Sequence, residues 1–387
     1  MSFYNKIKLT YSKLAITTVI ILALIVSGIY FNSLKLNKVG NLHDMWSIYK
    51  KAYIDHVSGR TIDHQQGGIT TSEGQSYTML RSVWMNDKNQ FDSSWQWTKN
   101  NLKRPKDSLF AWQWGLKKDG GYGIITDNGG GNIAVDADID IAYSLILASQ
   151  KWDKNNTQKY MDEAKKMIYD IWNLAVIKVD NGKLILGANN LEKELQKINP
   201  IVNPSYFSAF SFREFAKITP ELEWTRLAQD SYFVLNKIMD IKIAKKPLVL
   251  PPDWITINTK TMDINQLADK PFAYSYDAMR IPWRVAMDYY INKSPEAMDF
   301  LKRLEFFNQE WKNKNTIYTE YSSTGEISGN YESTLAYSTS LSYFDIINPA
   351  VANTIYDKKL QPKIFDKLGY YESNWLWFSL LLYYKAF

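Results

Sequence analysis

Two carboxylates, Glu73 and Asp277, stand in settings that suit an acid and a base. Glu73 lies in Thr71-Ser-Glu-Gly-Gln-Ser-Tyr77. The Thr-Ser pair can cap a helix, Gly74 lets the backbone come close, and Tyr77, Leu80, Val83 and Trp84 follow at helical spacing. The carboxylate is therefore expected in a first helical turn, at a rim. Asp277 lies in Tyr274-Ser-Tyr-Asp-Ala-Met-Arg-Ile-Pro-Trp-Arg284, three residues before Arg280, so the two share a helical face as an ion pair that keeps the carboxylate charged. Pro282 predicts an irregular start to that helix. Asp136-Ala-Asp-Ile-Asp140 opens another apolar helix, with Asp136 and Asp140 on one face and Asp138 turned elsewhere. In Asn203-Pro-Ser-Tyr-Phe207, Asn203 or Ser205 can cap a further helix and place Tyr206 on the same rim as Glu73.

Each feature alone has a plainer reading: an acid complementing a helix dipole, a structural ion pair, a proline-stopped cap. A calcium site at Asp136 to Asp140 is conceivable but lacks the glycine and terminal glutamate of an EF-hand loop. Four polar groups at the starts of four helices point instead to one acidic, aromatic-lined cleft. Two carboxylates in such a cleft suit glycosidic bond hydrolysis.

The composition leaves these carboxylates little competition. With no cysteine and only His43, His56 and His64, all early in the chain, a thiolate metal site is excluded and a zinc site or histidine triad has few residues to draw on. Neither cofactor nor metal is expected. Lys6, Lys8, Lys13, Lys35 and Lys38 precede Val39 without an acid among them, so the basic balance belongs to this tail and argues for no nucleic-acid patch. Gly115, Gly120, Gly121, Gly123 and Gly129-Gly-Gly131 lack the order of a phosphate cradle and are expected to let a loop fold over the rim. Within that loop Trp112 and Trp114 could each present a flat ring to a sugar. The 15% aromatic share fits either a packed helical core or a groove of such platforms.

Twelve helical segments carry the apolar periodicity: Leu42 to Asp55, Ser72 to Asn86, Gln90 to Leu102, Asp136 to Trp152, Asn156 to Val176, Ser205 to Lys217, Leu222 to Met239, Ser275 to Tyr290, Pro295 to Lys312, Tyr331 to Phe344, Asn348 to Leu360 and Tyr371 to Phe387. Links from even to odd segments are short and those from odd to even mostly long, which predicts six hairpins closed into an (α/α)6 barrel, all-α, with the long loops on one face. A linear superhelix would need a sequence repeat, and none is visible. A small strand is expected within Gly182-Lys-Leu-Ile-Leu-Gly187. The run Leu14 to Phe31 carries no charge and follows three lysines, as in a signal anchor. Residues 1–38 are thus expected to be a cytoplasmic tip, transmembrane segment and linker, and 39–387 an outward-facing catalytic domain; a cleaved signal peptide and secretion is the alternative.

The motifs Ser72-Glu-Gly-Gln-Ser-Tyr77, Ala134-Val-Asp-Ala-Asp-Ile-Asp-Ile-Ala-Tyr143, Asn203-Pro-Ser-Tyr-Phe207 and Tyr276-Asp-Ala-Met-Arg-Ile-Pro-Trp-Arg284 together resemble glycoside hydrolase family 8, in order from about residue 42 to the C-terminus. The resemblance implies the same barrel and an inverting mechanism, with the proton donor on Glu73, the base on Asp277 and the aspartate that holds the distorted sugar on Asp136. It places Arg280 beside the base and Tyr206 near the nucleophilic water; Tyr276, next to the base in sequence, is a further candidate for substrate binding. Val135 departs from the Ser or Thr usual in the family. The substrate is expected to be a β-1,4-linked polysaccharide, cellulose-like β-glucan first, with chitosan or xylan as alternatives; a non-catalytic glycan-binding or scaffold protein is the rival. Expected partners are the polysaccharide, the membrane through Leu14 to Phe31, and an exopolysaccharide synthesis complex.

Overall fold

The computed structural model describes residues 38–153, 159–189, 198–268, 270–329 and 331–387. The run Leu14 to Phe31 lies outside them, and among the described residues no helix is long and apolar enough to cross a membrane.

Helix α1 covers residues 38–53. It is followed by α2 (Ser72–Trp84), α3 (Lys88–Asn101), α4 (Val135–Trp152), α5 (Lys159–Ala175), α6 (Ala209–Ile218) and α7 (Trp224–Met239). Then come α8 (Ile281–Asn292), α9 (Pro295–Arg303), α10 (Phe306–Lys314), α11 (Thr334–Ile347), α12 (Pro349–Ile355) and α13 (Tyr370–Tyr383). All twelve expected segments are present; the ninth is broken into α9 and α10 at Leu304 and Glu305.

Helices α2, α4, α6, α8, α11 and α13 each pack on the next, and α13 returns to α2 through Tyr77, which meets Trp375 and Phe378 edge-on at 5.8 and 5.1 Å. Each inner helix also pairs with an outer one: α2 with α3, α4 with α5, α6 with α7, α8 with α9, α11 with α12. Helix α13 pairs with α1, where Trp377 Nε1 donates to the Leu42 carbonyl at 3.1 Å. This double ring is the arrangement expected of an (α/α)6 barrel.

Aromatic side chains fill the inner ring. Tyr143 packs on Phe210, Phe210 on Trp283, Trp283 on Trp375 and Trp375 on Phe378, in tilted or edge-to-face contacts of 5.2 to 6.0 Å. Each such pair contributes roughly 0.5–1.5 kcal/mol beyond the area it buries. Much of the aromatic excess therefore forms the core.

Short strands hold the loops that feed the inner helices. Strand β1 (Thr70–Thr71) pairs with β2 (Gln113–Leu116), which pairs with β3 (Tyr122–Ile124) through the glycine-rich hairpin. Strands Ile201–Val202 and Ala273–Tyr274 likewise belong to small antiparallel sheets just ahead of the third and fourth motifs. Leu184–Leu186 pairs with Val176–Lys178, the strand expected within 182–187.

Helices α6 and α8 start later than the apolar periodicity suggests, at Ala209 and Ile281 rather than Ser205 and Ser275. Pro282 lacks the N–H that the interior of a helix starting at Ser275 would use, and 3-10 turns at Pro204–Tyr206 and Ala278–Arg280 lead into the two helices. These turns carry site residues, so their irregularity sets where those side chains go.

Candidate active site

Arg280 is the hub. Its guanidinium is buried and donates from Nη1 to Glu73 Oε2 at 2.8 Å and to Asp136 Oδ2 at 2.9 Å. From Nη2 it donates to Asp277 Oδ1 at 2.6 Å and to Ser205 Oγ at 2.8 Å. One cation thus gathers three carboxylates from the starts of three inner segments, which explains how acids at three helix starts coexist. The expected Asp277 pair is present; the reach of Arg280 to Glu73 and Asp136 could not be read from spacing.

Below this layer Arg284 grips Asp140 with Nη1–Oδ1 at 2.5 Å and Nη2–Oδ2 at 2.7 Å. Asp136 and Asp140 on α4 therefore face Arg280 and Arg284 four residues apart on the opposing chain, matched turn for turn. Asp138 turns away, as its spacing predicts, and accepts from the Phe110 N–H at 3.1 Å. The three acids diverge to different partners and form no cage for a cation. Helix α4 starts at Val135 without a side-chain cap.

Glu73 occupies the first turn of α2, capped by Thr71, whose Oγ1 accepts from the Gly74 N–H at 3.0 Å. A Cβ at residue 74 would collide with the Tyr370 hydroxyl, so glycine is needed there for α13 to approach. Burial raises the Glu73 pKa to about 7; Arg280 opposes the rise, and Asp136 and Asp277 add to it. The expected neighbour, Asp136, contributes, but desolvation is the larger cause. Asp136 is almost fully buried and is itself raised by burial, against Arg280 and Arg284.

Asp277 is held at its other oxygen by Trp254, whose Nε1 donates to Oδ2 at 2.9 Å. The neighbouring Asp253 accepts from the N–H and Oγ of Ser275 at 3.0 and 2.5 Å and from the Ala278 N–H at 2.7 Å, fixing the turn that presents Asp277. Neither residue was singled out by sequence reasoning. The signal was an acid and a tryptophan directly after Pro251-Pro252 in a long polar loop.

Asn203 accepts at Oδ1 from Ser205 N and Oγ, at 3.0 and 2.7 Å, and so orients the Ser205 hydroxyl that receives Arg280. Tyr206 packs its ring against the Arg280 guanidinium, 5.4 Å away, and edge-on to Trp254. Tyr276 is half exposed, bonded through its hydroxyl to that of Tyr331, and its carbonyl accepts from Tyr371 Oη at 2.8 Å. Glu73, Asp277, Asp63, Thr71, Tyr276 and Tyr371 line a cavity of about 360 Å³. Tyr371 was read only as a helix start.

Trp112 and Trp114 are not equivalent. The Trp112 carbonyl accepts from the Ser72 N–H at 3.1 Å, tying its strand to the start of α2, and its half-buried ring donates from Nε1 to the Gly129 carbonyl at 2.9 Å. Trp114 is engaged within the protein: Tyr122 stacks on it at 5.4 Å, Trp97 meets it edge-on and the Arg60 guanidinium lies 4.3 Å from its ring. Its ring is packing for the hairpin.

The open face of this closed helical ring thus carries a buried arginine, three convergent acids and aromatic side chains. The model for glycosyl hydrolases family 8 matches residues 24–383, and the chain belongs to that family and is a glycoside hydrolase. It is 30% identical over 238 residues to a probable endoglucanase of Novacetimonas hansenii, covering 61% of this chain and 64% of that protein. It is 28% identical over 349 residues to endoglucanase 2 of Ruminiclostridium josui, covering 88% of this chain and 70% of that one. The crystal structure of an endo-1,4-D-glucanase from Vibrio fischeri superposes with a TM-score of 0.75 at 25% identity, covering 88% of this chain and 94% of that one.

Proposed function

We propose that the protein is an endo-acting hydrolase of a β-1,4-linked glucan, working by a single displacement with inversion. The observation that carries the reading is the triad of carboxylates on Arg280, in which Glu73 is held near pKa 7 while Asp277 is bound by two donors. Glu73 donates its proton to the glycosidic oxygen as the bond to the anomeric carbon breaks. A water attacks that carbon from the opposite face and gives its proton to Asp277, which the Arg280 and Trp254 bonds hold in position. Asp136, buried beside Arg280, acts by holding that guanidinium against the other two carboxylates, and the resemblance to the family supports a part for it in holding the distorted sugar. Tyr206 and Tyr276 complete its walls, and Trp112 offers a ring at the loop.

The names of the relatives support β-glucan over xylan or chitosan. A purely binding protein would have no use for an acid kept protonated by burial, since desolvating carboxylates is costly. Assays of the full chain on β-1,4-glucan, xylan and chitosan, with Glu73→Gln and Asp277→Asn alongside, test the proposal. Hydrolysis of β-glucan lost in both folded variants supports it; equal turnover by either variant refutes the assignment.

We further propose that Leu14 to Phe31 anchors the domain outside a cytoplasmic membrane, where an exopolysaccharide synthesis complex would supply its substrate. The uncharged run behind three lysines supports this. Protease added to cells stripped of outer layers should digest the domain, and protection until the membrane is opened would reverse the orientation.

A further inference from the structure

Three arginines are buried: Arg81, Arg280 and Arg284. Two of them have carboxylates; Arg81, at 1% exposure on α2, forms no ion pair among the described residues. Its guanidinium has five N–H donors. Nη1 donates to Asn374 Oδ1 at 3.1 Å, Nη2 reaches the Met45 carbonyl at 3.4 Å, and Nε has no partner among the described residues. The rings of Tyr49, Trp377 and Trp46 surround its carbon at 4.1, 4.8 and 5.2 Å. Such ring contacts offset only part of the cost of burying a charge, typically about 2 kcal/mol or less each. Burial accordingly lowers its pKa to about 9. A methionine or leucine would fill the same position without that cost, so the charge calls for a reason beyond packing.

Arg81 lines a cavity of about 540 Å³ between α1 and the segment leading into α13, separate from the carboxylate cleft. That volume falls in the range of about 300–1,000 Å³ usual for small-molecule sites. Most of the remaining wall is apolar: Met45, Ile48 and Ala52 on one side, Ile364 and Leu368 on the other. Of the charged groups at its edge, Asp366 is occupied by Lys363 at 2.8 Å, while Lys367 adds a second cation. The geometry therefore combines an apolar wall, an incompletely bonded cation and a single acid, Asp366, that is already engaged by Lys363.

We propose that this cavity is a binding site for a small amphipathic organic anion, whose carboxylate or phosphate pairs with Arg81 and whose apolar body lies along Ile48, Ala52 and Leu368. Binding there needs none of the catalytic residues, so it stands apart from the hydrolytic reading.

Calorimetric titration of the full chain with octanoate, octyl phosphate and the neutral octanamide tests it. At least one of the anions should bind and octanamide should not; the tighter of the two identifies the head group. Arg81→Met should weaken the anion by roughly tenfold to a hundredfold, the effect of losing charge-assisted hydrogen bonds, and Arg81→Lys should recover part of it. Should Arg81→Met fail to fold by circular dichroism, Ile48→Trp, which narrows the cavity from its half-exposed wall and leaves Arg81 in place, should abolish binding on its own. Anions that bind no better than octanamide, or that bind the folded variants unchanged, would overturn the proposal and leave Arg81 held by its rings, Asn374 and the Met45 carbonyl.

Discussion

Replacing Glu73 by Gln removes a proton-binding group whose affinity differs between the folded and unfolded chain, and the difference can be read as stability. In the unfolded chain the group titrates near 4.5; burial raises it to about 7 in the fold. Below the lower value both states are protonated and the group contributes no pH dependence. Between the two values the unfolded chain has released its proton while the folded one retains it, so stability falls as pH rises, and the loss is complete above the folded pKa. A shift of this size corresponds to roughly 3 kcal/mol. The Glu73 side chain is 25% exposed, and screening reduces the expected loss to about 2 kcal/mol. Gln cannot ionise, so the stability of Glu73→Gln relative to the parent should grow by about 2 kcal/mol between about pH 4 and about pH 8. Urea unfolding of both proteins across that range measures it. Parallel pH curves would show that Glu73 is ionised in the fold at neutral pH, and its role as acid would fall.

Trp254→Phe keeps an aromatic ring but deletes the N–H that Trp254 donates to Asp277; kcat should drop by about tenfold or more with little change in KM, because the loss concerns how the base is held and not the glycan. Asp140→Asn leaves Arg284 buried without its anion and should cost about 3–5 kcal/mol of stability, measurable by thermal unfolding. Trp112→Ala should raise KM several-fold as a sugar contact is lost. Trp114→Ala should lower the unfolding temperature and leave KM nearly unchanged, since its ring is already engaged by Tyr122, Trp97 and Arg60.

The twelve helices were legible because the inner ones carry long apolar runs and the alternation of short and long links dictates hairpins. The site was legible where chemistry and helix starts coincide, at Glu73, Asp136 and Asp277. Local spacing paired Arg280 with Asp277, but its bonds to Glu73 and Asp136 span 207 and 144 residues and depend on the ring closing. Asp253 and Trp254 escaped notice because a loop carries no periodicity, and the turn they organise exists only once Ala273–Tyr274 is paired in its sheet. Trp114 was read as a platform because sequence reveals a ring but not what covers it. The starts of α6 and α8 were placed too early because apolar spacing continues through the 3-10 turns ahead of them while the regular helical hydrogen bonds do not.

Glu73 and Asp277 acting on opposite faces of one sugar, with a water between them, would invert the anomeric carbon. NMR of the anomeric protons during the first minutes of β-1,4-glucan hydrolysis tests it most directly. The α-anomer of the new reducing end should appear first and mutarotate later. A β-anomer appearing first would mean a double displacement, and it would contradict the assignment of Asp277 as a base acting on water.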